Sequence, residues 1–246
     1  MGAPPFSSRT YDPRDLKLAQ MAPWARALRT FAARLGIAGS PFAVNGILRR
    51  RVYVHRHKLW EYAASAACLF AGGEKRLRIL DFGGAATLPI YFSASRGCTV
   101  ACLDIDERLC EASRRAAARH GWALTASSVN LLDSALPGEM SGPFDAVISA
   151  SVLEHLPKAQ QEIAVARLAG LLRPGGAFVL TFDFGADAPQ PGAVRSVQEV
   201  ERLVAASGLA YMGGEPFRDS GARFALDRRY PDRKFTFGAV FLARRP

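Results

Sequence analysis

The chain predicts an α/β fold, a doubly wound and mostly parallel sheet with helices on both faces, and two observations carry that prediction. From about residue 58 onward, short runs rich in Val, Ile, Leu and Phe alternate with helical patterns. One run, RILDFGGAATLP (78–89), passes through a small-residue turn into a helical stretch before a second apolar run, TVACLDID (99–106), ends in acid. Strand, helix and strand joined in this way are too far apart for a hairpin and lie parallel.

The elements follow in order. Residues 1–14, rich in Pro, Ser and Gly, read as a poorly ordered leader. Residues 15–35 turn helical, with Trp24, Leu28, Phe31 and Leu35 spaced by four, three and four, and Pro23 starts or breaks that helix. Arg26, Arg29 and Arg34 project elsewhere around it. Such a segment suits either peripheral contact with a membrane surface or packing on its own domain as a lid, and the lid is the expectation. Residues 36–45 read as a loop and 57–71 as a helix leading into the first apolar run. Seven strands are expected, at 78–82, 99–104, 124–126, 145–150, 177–182, 211–215 and 235–243, with helices notably at 107–120, 160–172 and 197–207. The segment FGADAPQPGAVR (184–195) reads as a low-order insertion beyond the fifth strand, where loops of this fold class select substrate.

Composition bounds the function. With 49% hydrophobic residues in 246, the chain builds one sizeable core, and it divides into a basic N-terminal helical extension or cap (1–57) and a second region (58–246). Residues 1–76 hold 13 Lys and Arg against 4 Asp and Glu, whereas the remainder holds 19 against 18, so the net charge of +10 is nearly all N-terminal. The densest run, RRRVYVHRHK (49–58), suits an anionic partner such as nucleic acid, anionic lipid or a phosphorylated sugar, and equally a solvated helix face. Cys68, Cys98, Cys102 and Cys110 show no metal-binding spacing. No stretch approaches the ~20 apolar residues of a membrane span. A metal-free cytoplasmic protein is the expectation.

The turn after residue 82 points to a ligand. Its small residues let backbone N–H groups approach closely, and a carboxylate at the tip of the next strand, Asp104, can accept hydrogen bonds from ribose hydroxyls. This describes a nucleoside-cofactor site. It is not the dinucleotide fingerprint: G-x-G-x-x-G is absent, and Asp81 before the glycines would repel a pyrophosphate.

At these residues the chain resembles the class I S-adenosylmethionine-dependent methyltransferases, whose first motif is an acid, one residue, then spaced glycines. SSVNLLD (127–133), FDAVISASVLEHLP (144–157) and LLRPGGAFVLTFDF (171–184) extend the likeness in order and spacing over residues 58–245. The resemblance implies a Rossmann-like methyltransferase fold with an antiparallel last strand, and S-adenosyl-L-methionine as cofactor. It implies that Asp81, Gly83, Gly84 and Ala85 line the cofactor's methionine end, that Asp104 holds the ribose and Ile105 presses on the adenine, that Asn130 and Leu131 frame the adenine's other edge, and that Ser149 and Ala150 contribute backbone. The sequence departs from the family where Ala85 and Thr87 replace glycines.

Around the methyl group the resemblance puts Glu154 and His155, with Asp183 ending the next strand. For a hydroxyl acceptor, His155 is the candidate general base and Glu154 its orienter, with Asp183 a second candidate; the same Glu-His pair also serves simply to tie its loop. His55, His57 and Tyr62 can descend on the site from the N-terminal cap. ISASVLEHL lacks the Asn/Asp-Pro-Pro-aromatic run of base-amine enzymes and the Pro-Cys of cytosine carbon-5 enzymes. The expected reaction is methyl transfer to oxygen of a small-molecule or saccharide acceptor, including anionic ones. Two alternatives remain: an RNA methyltransferase gripping phosphates through its basic segment, and a non-catalytic cofactor sensor or assembly partner. The sequence sets no oligomeric state.

Overall fold

A computed structural model describes residues 7–35, 55–70, 72–73, 76–132, 135–226 and 229–246. The leader 1–6, the loop 36–45 and the arginines at 49–51 lie outside these residues. The helices are α1 (Ala22–Leu35), α2 (Arg56–Phe70), α3 (Leu88–Ser95), α4 (Glu107–His120), α5 (Lys158–Gly170) and α6 (Val197–Ser207). The strands are β1 (Arg9–Thr10), β2 (Arg78–Phe82), β3 (Thr99–Asp104), β4 (Leu124–Ser128), β5 (Phe144–Ala150), β6 (Leu172–Phe184), β7 (Ala210–Tyr211) and β8 (Thr236–Ala243).

All eight strands join one sheet, ordered β1-β8-β6-β5-β2-β3-β4 with β7 also on β8. β2 through β6 run parallel, and β8 is antiparallel to β6. Side chains alternate between two cores: Ile79 and Ile148 face α1–α4, whereas Leu80 and Val147 face α5 and α6. The chain starts at β2, winds outward to β4, then returns to β5 on β2's other side. That reversal opens a crevice at the carboxyl ends of β2 and β5, where ligands of doubly wound sheets bind.

Local chemistry explains the boundaries. Asp106 caps α4 by accepting from the Arg108 N–H at 2.9 Å, and Ser196 caps α6 by accepting from the Glu199 N–H. Pro23 stands in the first turn of α1, where its missing N–H costs nothing. The four cysteines are buried.

Four expectations change. β6 begins at Leu172 rather than 177, because Pro174-Gly175-Gly176 makes a bulge instead of a turn: Gly175 N–H donates to Arg244 O and Arg244 N–H to Gly176 O, both at 2.9 Å. The strand expected at 211–215 shrinks to two residues, since the Gly213-Gly214 turn takes positive φ. Residues 7–14, read as part of a disordered leader, are held on the sheet edge by β1 and by an ion pair from Arg9 to Asp15, which also accepts from Trp60 Nε1 at 2.9 Å. The segment 185–194 is ordered: Arg195 donates to the carbonyls of Gly185, Ala186, Ala188 and Gln190, and Gln161 donates to Gly192 O.

Nor does α1 form a lid. Its buried face packs on α2 and α3, with Phe31 against Phe92 and Trp122 and Trp24 against Phe70, all at the end of the sheet where strands begin. Its arginines 26, 29 and 34 stay exposed. The N-terminal element that reaches the carboxyl ends is α2, through its first two turns.

Candidate active site

The turn after β2 is built around a buried acid. Asp81 is 2% exposed and accepts from the Gly84 N–H, and a Cβ on Gly84 would stand 2.7 Å from the Asp81 carboxyl carbon. Gly83 takes φ +75°, and a Cβ there would come within 2.6 Å of the Val152 methyls. Both positions therefore demand glycine, one for contact and one also for backbone conformation. Beyond them Ala86 adopts φ +58°, a left-handed alanine whose N–H donates to Ser113 Oγ at 2.8 Å. The glycines expected at 85 and 87 are absent, and the left-handed position is neither of them but Ala86 between them.

Asp104, at the tip of β3, is bound from both sides. Its Oδ2 accepts from the Ala85 N–H at 3.1 Å and its Oδ1 from the Asp106 N–H at 3.0 Å, so each oxygen keeps a lone pair for another donor. Burial, then the neighbouring Asp104 charge, push the Asp81 carboxyl up to about 7. Ile105 stands 78% exposed beside these acids, an apolar surface without a cover. Asn130 is exposed and its Oδ1 accepts from the Leu132 N–H. The Leu131 side chain is buried in the α5 and α6 core, and its carbonyl accepts from Arg167 of α5, so what it can offer an adenine is backbone rather than side chain. Ser149 is fully buried on β5 and Ala150 half-buried at its end.

The opposite wall comes from β5, β6 and α2. Ser151, with φ +55°, turns the chain out of the sheet, and Leu153–His155 follow as a 3-10 turn. Glu61 of α2 is fully buried and ties this wall together: its Oε2 accepts from Ser151 Oγ at 2.6 Å and Thr181 Oγ1 at 2.5 Å, and its Oε1 pairs with Lys58 Nζ at 3.0 Å. Lys58 also donates to Ser151 Oγ and lies over the Phe237 ring. Burial opposes the Lys58 charge, but Glu61, Tyr62 and Glu154 outweigh it and push its pKa up. Tyr62 is held up at about 12 by burial, although Lys58 draws it down. His57 stacks on Phe237 and His55 on His57.

Glu154 is 2% exposed, and desolvation together with Asp183 pushes its carboxyl up to about 8 against the pull of Lys58. His155 instead is exposed, its pKa lowered by desolvation of the ring and then by Lys58. The structure thus sets the buried Glu154 within electrostatic reach of both Asp183 and Lys58, and leaves His155 exposed but still within reach of Lys58. Lys58, Glu61, Ser151 and Thr181 were not singled out in the sequence. The available signal was a Lys and a Glu three residues apart in the otherwise apolar run LWEYAASAACLF and its lead-in HK.

The residues fit S-adenosylmethionine. A cradle that a Cβ would fill, carboxylates with open lone pairs and an uncovered Ile105 suit its methionine end, ribose and adenine respectively. Among the described residues no group of three or more His, Cys, Asp or Glu is arranged to hold a metal, and no helix is long and apolar enough to cross a membrane.

Comparison with known proteins agrees with the fold. Residues 80–178 match a family described as a methyltransferase domain. No curated protein matches the chain. Among solved structures, it is similar to TehB from Haemophilus influenzae, with TM-score 0.57 and 10% identity over 78% of this chain, of whose length it spans only 63%. It is similar also to magnesium protoporphyrin IX methyltransferase from Synechocystis with bound SAM, with TM-score 0.55 and 17% identity over 92% of this chain and 98% of that one. A third likeness is to 1,6-didemethyltoxoflavin-N1-methyltransferase from Burkholderia thailandensis, with TM-score 0.55 and 17% identity over 93% and 92% of the two chains. At these identities the likeness is one of fold.

Proposed function

We propose that this chain, whose residues 80–178 match a methyltransferase domain, is a class I S-adenosylmethionine-dependent methyltransferase that transfers a methyl group to an oxygen of an uncharged small molecule or saccharide. When bound, the cofactor supplies a methyl group on a positively charged sulfur. The chain's own part is to hold that group in line with the acceptor, exclude water and take up the acceptor's proton. Gly83, Gly84 and Ala85 would receive the methionine end, Asp104 the ribose hydroxyls, and Ile105 with the backbone around Asn130 the adenine.

The observation that carries the choice of oxygen is the pair of carboxyl groups, Glu154 and Asp183, on the acceptor side. A hydroxyl needs a proton acceptor during attack, whereas a neutral amine does not. The one cation described in this wall, Lys58, is already paired with Glu61, and the rest of the described region offers carboxyl groups, Asp81, Asp104, Glu154 and Asp183, and no second cation for an anion to meet. That balance favours an uncharged acceptor over the anionic one that the chain's net charge allows. Two likenesses supply analogy for small acceptors, a porphyrin enzyme and a toxoflavin precursor enzyme, each by its own name.

The test is calorimetry with S-adenosylhomocysteine. Asp104→Ala, which removes a doubly anchored strand-tip carboxylate, is expected to weaken binding by about 1.5–3 kcal/mol, the range of charge-assisted hydrogen bonds. Unchanged affinity would remove the ribose role from Asp104.

A further inference from the structure

We propose that Glu154, not His155, receives the acceptor's proton, and that the positive charge of the methyl donor seated beside it is what ionises Glu154 for that task. The proposal rests on the reading of the Gly83–Asp104 region as the methyl-donor site.

The first observation is an unmet hydrogen bond. Glu154 Oε2 is buried without a hydrogen-bond partner and the carboxyl's one donor is its own backbone N–H, whereas the Glu61 carboxylate has two hydroxyl donors on Oε2 and the Lys58 ammonium at 3.0 Å from Oε1. A buried carboxyl with an empty acceptor side is most stable uncharged. The groups that face it agree: Asp183 from β6 and Glu61 from α2 are acidic, and the ammonium of Lys58 is shared with Glu61 at 3.0 Å. His155 on the same turn is exposed, and Tyr62 on α2 holds its proton. With its carboxyl pushed up to about 8, resting Glu154 keeps its proton at neutral pH and is no base. What the surroundings lack is one further positive charge.

The second observation is where Glu154 stands. Val152, two residues earlier, lies against Gly83 of the cofactor turn, and Gly192 of the 185–194 segment is packed so closely on the Glu154 carbonyl that a Cβ there would come within 2.7 Å. The backbone of residues 152–154 is therefore held between the turn and the ordered segment, and the Glu154 carboxyl, 2% exposed, sits two residues from the contact with Gly83 and away from water that would screen a charge held by the turn.

The proton balance then closes. On loading, Glu154 gives its proton to solvent. During transfer the acceptor's O–H bond breaks and the proton goes to Glu154 Oε2, the oxygen's electron pair forms the new bond to the methyl carbon, and the carbon–sulfur bond breaks with its electrons kept by sulfur. Sulfur is then neutral, and Glu154 retains the proton it had at rest.

The test reads protons, not turnover. S-adenosylmethionine and S-adenosylhomocysteine bind with the same ammonium, carboxylate and nucleoside but differ in the sulfonium charge. Titrating each in two buffers of different ionisation enthalpy gives the protons released. Release from Asp81, pushed up to about 7, is common to both ligands and cancels. At pH 7 the excess for S-adenosylmethionine is expected to approach about 0.9 proton, the protonated fraction of a group titrating at about 8. It should fade by about pH 9.5 and be absent in Glu154→Gln. Equal release for the two ligands refutes the proposal while leaving the site reading intact, and so does an excess that survives in Glu154→Gln. Failure of both ligands to bind overturns the site reading and the proposal together.

Discussion

Replacing Glu61 by Ala should unfold the wall of the site before it touches any chemistry. The carboxylate is fully buried and receives Ser151, Thr181 and Lys58 at 2.6, 2.5 and 3.0 Å. Removing one member of a buried ion pair costs about 3–5 kcal/mol when the other is left dry. Lys58 keeps about 30% of its side chain exposed and can turn to water, which lowers that share. Thr181 is fully buried and cannot, so its hydroxyl is stranded at a cost of about 1–3 kcal/mol. The contributions are not additive, and about 3 kcal/mol is the expected total, equivalent to roughly 6–12 °C in melting temperature for a chain of this size. Glu61→Gln keeps the shape and one oxygen and should cost about half as much. The measurement is thermal unfolding of both variants with Lys58→Met and the Glu61→Ala/Lys58→Met double variant. The double variant should recover part of the loss, because both partners then leave together. Melting of Glu61→Ala within 2 °C of wild type, or a strictly additive double variant, would refute the account of α2 as the clamp on the β5 and β6 ends.

Three further outcomes are expected. Ala86→Gly removes a left-handed alanine and should stabilise the chain by about 1 kcal/mol in thermal melts, less what the unfolded glycine gains in freedom. The ligand-free protein should lose stability as pH rises from 5 to 9: Asp81 and Glu154 titrate near 7 and 8 when folded but near 4 when unfolded, so the folded state binds more protons in between, and Glu154→Gln should flatten the slope. RNA binding at physiological salt should be negligible, and Gln at positions 49, 50 and 51 should leave S-adenosylhomocysteine affinity unchanged; submicromolar, salt-sensitive RNA binding would argue for a nucleic-acid substrate.

The parallel sheet was legible because its strands are buried on both faces and read as unbroken apolar runs; the bounds of β2, β3, α4 and α6 coincide with those read from the chain. β1 carries no such signal, since two residues, Arg and Thr, are held by partners more than two hundred residues away. The cofactor side was readable from local order: the acid, the glycines and the next strand's acid are contiguous. The acceptor side was not. Glu61 meets Ser151 and Thr181 only through the topology that brings β5, β6 and α2 to one corner. Leu131 shows the converse limit, where motif position marked a ligand contact and the apolar side chain went to the core.

The outer edge of β8 has a consequence for how this protein behaves in company. β1 covers Gly238 and Ala239, β7 covers Leu242 and Ala243, and between them Phe241 donates its N–H to Ser8 Oγ at 3.0 Å and accepts from the Met212 N–H at 2.9 Å. An apolar strand that would otherwise recruit strands from neighbouring molecules is thus screened by two short pieces drawn from distant parts of the chain. The leading residues act as a guard against self-association. Trimming the chain to the start of α2, attractive because the motifs of the cofactor site all lie beyond it, would uncover this ladder at Gly238 and Ala239 and leave an open edge for other chains to pair with.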